Sequence, residues 1–439
     1  MELSLLGNIP GFDFTMFKRR NIVSAIDIGT SKICVLVGCC ENDEPLSVIG
    51  RGEVSLSGEV VKGEIADMEK VFEKFSAALD LADESCGGEL NNAVLTAMSI
   101  TGCNIGSFQT SAPTFINSNE GRVTMADIES AYSAIEQKPL PGNQKLLNTV
   151  DSYYLLDSVR RVRNPLDQAA QKFELFCHVI YGDATRIDNF TSLYRNVGFD
   201  DQPVLLFSGM ADLYGIISPE EREHGVLAVD MGRGTTEYIA IFNDGVFASG
   251  VVPVGFDHVA NDLAIGLGLP IETTRDLLVS NTIPQAVTSG SGIIQIKQGS
   301  QSRRIPLASF EKIIDLRLRE LFTIIKNSFE DRNVLRNLAR GGVITGGGAL
   351  FPRTAEIFQQ TFEFPVRTGY PYDVEHNLGE LDNPRYSTVW GTLKFAEEQL
   401  KLMLQNRRQG MWATLSGAVG NVGESAWRTL AGLKNSIKI

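Results

Sequence analysis

The chain writes one pattern twice. Residues 22–38 (IVSAIDIGTSKICVLVG) run as an apolar, β-branched stretch, an aspartate, a glycine-centred break and a second apolar stretch. From residue 225, GVLAVDMGRGTTEYIAIFNDG repeats that order about 200 residues later. Each copy reads as strand, tight turn, strand. A chain of 439 residues exceeds one ordinary core. Together these predict two facing lobes of like α/β fold.

The turns carry residue types that suit a phosphate. Backbone N–H groups at glycine turns approach phosphate oxygens where a side chain would stand in the way. Gly29, Thr30, Ser31 and Lys32 form the first turn; Gly232, Arg233, Gly234, Thr235 and Thr236 form the second. Asp27 and Asp230, at the ends of apolar strands, suit Mg2+, which keeps several waters and takes few carboxylates. In a third turn, Gly346, Gly347 and Gly348 stand between a strand and a helix, where backbone can press on a base or sugar. One such turn alone is more often a plain hairpin. Three in order, two of them duplicated, point to a nucleotide held between the lobes: ATP with Mg2+. The chain has neither a P-loop nor a dinucleotide fingerprint after its first strand.

Composition narrows the setting. A net charge of −13 argues against a general nucleic-acid binder, and 43% hydrophobic with 21% charged residues is globular. The six cysteines include no CxxC pair, which favours buried reduced thiols. No stretch approaches the roughly 20 apolar residues of a spanning helix. Lys18, Arg19 and Arg20 follow the apolar opening residues, the wrong order for a secretory signal, so the chain is expected in the cytoplasm.

Residues 1–21 read as a tail. A helix is predicted over 67–84, with Val71, Phe75, Ala78, Leu79 and Ala82 on its apolar face. Strand runs and a helix from Met125 suggest a small subdomain at about 91–172, inserted between 22–90 and 173–220 of the first lobe. The second lobe is expected over 221–398, with a hairpin at 289–304 and a helix at 307–327. A linker over 399–424 would follow. At the end, Trp412, Leu415, Val419, Val422, Trp427, Leu430, Leu433 and Ile437 recur at mostly helical steps. Five basic residues (Arg407, Arg408, Arg428, Lys434, Lys438) accompany one acidic residue, Glu424. A basic amphipathic helix bearing Trp suits an anionic membrane surface. Gly417, Gly420 and Gly423 weaken one long helix, which places the anchor at 425–439: Trp427, Arg428, Leu430, Leu433, Lys434, Ile437 and Lys438. Docking of this helix on the protein's own body or on a partner is the alternative.

The order of motifs resembles the actin-like ATPase superfamily, and within it the FtsA family of bacterial cell-division proteins. Carrying the resemblance are AIDIGTSK, the stretch Arg163-Asn164-Pro165-Leu166 and the strand holding His178. VVPVGFDHVANDLA (with Gly255), VITGGGA, FPVRTGYP and PRYSTVWGTLKFA extend it over about 22–398. It implies a duplicated two-lobed fold with an inserted subdomain, ATP binding, and assembly into protofilaments. It also implies recruitment of the C-terminal peptide of the tubulin-like FtsZ to the inner face of the membrane at the division septum, with other division proteins. Arg303, Arg304, Arg317 and Arg319 would meet that acidic peptide; solvated surface charge is the plain alternative.

Two departures stand out. Arg233 replaces the middle glycine of the family's second phosphate loop. Arg275 and Leu278 stand where a Glu and a Lys would touch adenosine. Together they favour binding over efficient hydrolysis, so at most a weak ATPase is expected. Other readings are an actin-fold ATPase or kinase outside division, and a pilus-assembly adaptor resembling FtsA.

Overall fold

A computed structural model describes residues 20–415, apart from 42–44, 119, 200, 281–282, 284–285, 287–289, 299–300, 330–331, 374 and 377–380, together with 436–437. The duplication is visible in the sheets. In the first lobe Asn21–Ile28 pairs antiparallel with Lys32–Cys40, which pairs antiparallel with Ser47–Ser55. On its other side Asn21–Ile28 runs parallel to Ala93–Ile100, and that strand to Val204–Phe207. The second lobe repeats this: Val226–Met231, Thr236–Phe242 and Gly245–Val252 form the antiparallel meander, and Gly342–Thr345 then Val366–Thr368 add in parallel.

The two registers superpose on the aspartates. Asp27 stands opposite Cys34 and beside Ser99; Asp230 stands opposite Glu237 and beside Thr345. The strands are apolar on both faces because helices cover them, so they read as continuous runs rather than alternating ones. Val226–Met231 is buried at every position.

The helix Met68–Ser85 covers the first sheet with Val71, Phe75, Ala78, Leu79 and Ala82, the face read from the sequence. Asp67 caps it by accepting from the Lys70 amide at 3.2 Å. In the second lobe Leu307–Ser328 buries Phe310, Ile314, Leu318, Leu321, Phe322 and Ile325 beside the hairpin of Ile293–Gln298 and Gln301–Pro306. The inserted unit has its own core around Ile128, Ala131, Tyr154, Phe173, Leu175 and Cys177.

Some boundaries differ from expectation. Ala93–Ile100, expected inside the insertion, belongs to the first lobe's sheet because its parallel pairing completes the repeated topology. Lys172–Asp183, expected in the first lobe, is the middle strand of the inserted sheet, between Gly106–Phe115 and Gln144–Leu156. The last body helix runs Ser387–Leu415, into the expected linker, and packs against strands Asn21–Ile28 and Ala93–Ile100 of the first lobe, its Val389, Trp390, Leu393 and Phe395 joining a core that also takes in Val226, Ala228 and Val343 of the second. Gly391 permits this: a Cβ there would lie 1.8 Å from the Ala211 carbonyl oxygen.

The tail 1–19 and most of the expected anchor, including Trp427, Arg428, Leu430, Leu433, Lys434 and Lys438, lie outside the described residues. Ser436–Ile437 form a short strand beside Thr149–Val150, so the helix expected through Ile439 does not hold there. A sheet edge offers unpaired backbone groups that an extended segment satisfies. No helix among the described residues is long and apolar enough to cross a membrane.

Candidate functional site: the cleft between two aspartate hairpins

Both duplicated turns end their strands at one cleft. In the first, the Gly29 amide donates to the Lys32 carbonyl at 3.0 Å and closes the turn. In the second, a Cβ on Gly234 would lie 2.5 Å from Thr30 Oγ1 and 3.0 Å from the Lys62 amide nitrogen. Thus the loops face each other closely enough that only glycine fits. The third turn meets the same point. Gly346 has φ 78°, and a Cβ on it would lie 2.1 Å from Asp230 Oδ1. The first turn thus meets the second at Thr30 and Gly234, and the third meets the second strand's end at Gly346 and Asp230; Gly29, Ser31, Gly232 and Thr235 lie on the same turns, and Gly347 and Gly348 continue the third loop. Gly255 leads the helix Phe256–Leu267 and packs on the second turn, where a Cβ would lie 2.5 Å from the Arg233 carbonyl oxygen.

The carboxylates are set by strands and by hydroxyls. Ser99 donates to Asp27 Oδ1 at 2.7 Å, and Thr388, at the start of the last helix, donates to Asp230 Oδ2 at 2.8 Å. Asp27 keeps an edge toward the cleft, yet the surrounding protein pushes its carboxyl above the ordinary range. Burial pushes Asp230 up to about 6 and Glu237 up to about 8, with neighbouring negative charge adding to both. Thr235 donates to Glu237 Oε1 at 2.8 Å, and Thr101 of the first half also donates to that oxygen. A buried cluster of like charges is costly unless a cation joins it. Among the described residues no three potential ligands come close enough to hold one ion directly. The set therefore fits a cation that reaches its carboxylates through water, as Mg2+ does.

Two expected contacts are used differently. Lys32 is 5% exposed and lies 3.4 Å from Glu53 Oε2, its ammonium 3.6 Å from the centre of the Tyr386 ring. Burial lowers its pKa, against the pull of Cys34, Glu53 and Asp27. Thr236 turns away and donates to the Val254 carbonyl at 2.7 Å. Tyr386 and Thr388 come from PRYSTVWG, a stretch whose part in the site gave no sequence signal beyond its place in the resemblance.

Arg233 does not point freely at the cleft. Its Nε lies 3.1 and 3.2 Å from the two oxygens of Asp257, and Nη1 donates to the Leu56 carbonyl in the first lobe at 3.1 Å. Arg275 grips the same carboxylate at 3.0 and 3.3 Å and reaches Glu272 at 3.0 Å. The two departures noted in the sequence are thus one structure: two arginines sharing Asp257, one of them bridging the lobes.

The four arginines expected to meet a peptide do not form one cluster of free charge. Arg317 is held by Asp262 at 2.6 and 3.0 Å and by Glu320, while Arg319 donates to Gln360. Arg303 donates to the Gly268 carbonyl at 3.0 Å, and Arg304 is exposed opposite Gln295 on the hairpin.

The chain matches the model of "Cell division protein FtsA" over residues 227–391 and that of the "SHS2 domain inserted in FTSA" over 102–181. It is 28% identical over 386 residues to cell division protein FtsA of Borreliella burgdorferi, covering 87% of this chain and 92% of that one. The FtsA of Pseudomonas aeruginosa is 29% identical over 402 residues, covering 90% and 93%. Among solved structures, a PilM–PilN type IV pilus biogenesis complex aligns with TM-score 0.56 at 15% identity, covering 86% of this chain and 98% of that one. MreB5 of Spiroplasma citri bound to AMPPNP aligns with TM-score 0.51 at 12% identity, covering 88% and 98%. Those two likenesses establish the actin-like fold. The matched insertion, the matched second lobe and relatives aligned along nearly their whole length place the chain in the FtsA family of cell-division proteins.

Proposed function

We propose that this cell-division protein binds ATP with Mg2+ in the cleft and uses it to set its conformation and assembly, with slow hydrolysis at most. The observation that carries the reading is the meeting of the duplicated loops, with Gly234 against Thr30 and Gly346 against Asp230. The metal would be held through water by Asp27 and Asp230, and when bound it would neutralise phosphate charge. Gly29–Ser31 and Gly232–Thr235 would receive the phosphates through backbone N–H groups and hydroxyls. That the MreB5 relative of this fold was solved with AMPPNP supports the reading. Isothermal titration of the full chain with an ATP analogue and Mg2+ tests it. Saturable binding lost in Asp27→Ala and Asp230→Ala is expected; wild type without binding would sink it.

The same proposal makes the protein a tether. Its C-terminal segment would leave the sheet edge at Thr149–Val150 to lie on anionic inner-membrane lipid at the septum, the second lobe would hold the FtsZ C-terminal peptide, and copies would join as protofilaments with other division proteins. Support comes from family membership and from the basic, Trp-bearing sequence of 425–439. With Arg317 engaged by Asp262, the acidic peptide is assigned to Arg303 and Arg304, and Arg317 to shaping that face. Arg303→Glu with Arg304→Glu is expected to weaken FtsZ-peptide binding by about tenfold, the worth of one or two lost charge-assisted bonds, in a fluorescence titration. Unchanged affinity would move the peptide elsewhere. The pilus-assembly reading is disfavoured, since that likeness extends to the fold alone at 15% identity.

A further inference from the structure

Asp212 took no part in the reading of the sequence, and nothing inside the protein accounts for it. It lies on the short helix Ser208–Gly215, every residue of which is buried. This helix follows directly from the strand Val204–Phe207 and is wedged against the last helix: a Cβ on Gly215 would lie 2.7 Å from the Ser387 carbonyl oxygen. Its place is therefore fixed by packing on both sides. Asp212 itself is 1% exposed, and its Oδ1 has no hydrogen-bond partner. The charged groups that act on it are Asp230, Glu237 and Asp27, all acids of the cleft. No basic residue is among them.

A carboxyl oxygen buried without a partner has given up its bonds to water and received none in return. Ser99 and Thr388 donate to Asp27 and Asp230, and Thr101 and Thr235 to Glu237, whereas Asp212 Oδ1 has no donor, and Ser208 Oγ one turn earlier on the same helix is unpartnered too; the orphaned carboxyl oxygen among these acids is a place for a donor from outside the chain. What suits a space faced by four carboxyl groups is a cation. Among the described residues no three such groups come together to cage one ion directly. A hydrated divalent ion meets both conditions, since its bound waters are strong donors and span the remaining distance.

We infer that Asp212 Oδ1 is an acceptor for a cation-bound water on the floor of the cleft, so that the divalent-ion site has a third anchor beneath Asp27 and Asp230. The inference rests on the proposed metal–nucleotide reading and adds a residue to it. Asp212 would orient the hydrated ion rather than ligate it, as outer-shell partners of metals do. It gives the cleft an affinity for the ion that does not wait for nucleotide.

The test uses the nucleotide-free full chain. Mn2+ binding is followed by electron paramagnetic resonance, and thermal melting is measured in EDTA and in Mg2+, for wild type, Asp212→Asn and Asp212→Ser. Wild type is expected to bind Mn2+ and to melt higher in Mg2+. Both variants are expected to bind Mn2+ at least about tenfold more weakly, the usual effect of losing an outer-shell partner. They should also lose most of the Mg2+-induced rise, yet melt no lower than wild type in EDTA, because the orphaned carboxyl is gone. Variants with wild-type Mn2+ affinity and an intact Mg2+ response would overturn the inference. So would a wild type that binds no Mn2+. A variant that melts lower in EDTA would show a structural role instead and overturn it equally. Binding of a fluorescent ATP analogue to wild type is read separately: its absence would remove the nucleotide reading while leaving the Mn2+ result to decide the role of Asp212.

Discussion

At the residue scale, single atoms decide whether the cleft can form. Gly346 has φ 78° and leaves no room for a Cβ beside Asp230. Gly346→Ala therefore adds backbone strain and a collision with a carboxylate. A loss of about 1–3 kcal/mol in urea unfolding is expected, with nucleotide binding abolished; wild-type behaviour in both would show that the loop is not constrained. Arg233 presents the opposite case, a side chain where glycine would serve. Arg233→Gly removes the bonds to Asp257 and to the Leu56 carbonyl. The nucleotide-free protein is expected to lose about 1–3 kcal/mol, as for charge-assisted hydrogen bonds, and to become easier to cleave by protease at the lobe junction. Unchanged melting and cleavage would show that the bridge carries no load. The sequence disclosed that Arg233 and Arg275 were unusual, but not that they share Asp257. Pairing between residues brought together by folding leaves no local pattern. Asp212 left no trace for the same reason: its position matters only once the strands carrying Asp230 and Glu237 lie beside its helix.

At the scale of elements, periodicity and turn chemistry located most helices and strands. The face of Met68–Ser85 and the span of Leu307–Ser328 follow from apolar residues three and four apart. The limits of the inserted unit did not, because Ala93–Ile100 and Lys172–Asp183 look alike as strands and differ only in the sheet they join. The contact between that unit and the second lobe contains His178. Its Nε2 lies 2.8 Å from Ser249 Oγ and its Nδ1 3.0 Å from the Gln109 amide nitrogen. Burial lowers its pKa from 6.5 to about 3. Below pH 6.5 the unfolded chain accepts a proton that the folded chain refuses, so this contribution to stability is full above that pH and falls as pH drops toward 3. Between pH 6.5 and 5 wild type is expected to lose about 2 kcal/mol more than His178→Gln in urea unfolding. Parallel curves for the two proteins would contradict the burial of a neutral imidazole.

For the whole molecule, the repeated hairpin was enough to foresee two lobes of like topology, since two copies of one strand order fold into two copies of one sheet. It was not enough to show that the last helix returns to the first lobe and lends Thr388 to Asp230. That return joins the two halves of the chain at the cleft, and the Arg233 bridge to the Leu56 carbonyl is a second tie between the lobes. The proposed membrane attachment belongs to this scale too. Removal of residues 425–439 is expected to abolish co-sedimentation with anionic liposomes while leaving nucleotide binding intact; retained sedimentation would place the membrane contact elsewhere. The proposed grip of the duplicated loops on one nucleotide involves both lobes. It is tested most directly by a crystal or cryo-EM structure with a non-hydrolysable ATP analogue and Mg2+. Expected is triphosphate density between the turns at 29–32 and 232–236, with the base against Gly346–Gly348 and Arg233 still on Asp257. An empty cleft at saturating analogue, or a nucleotide bound away from these turns, would contradict the account.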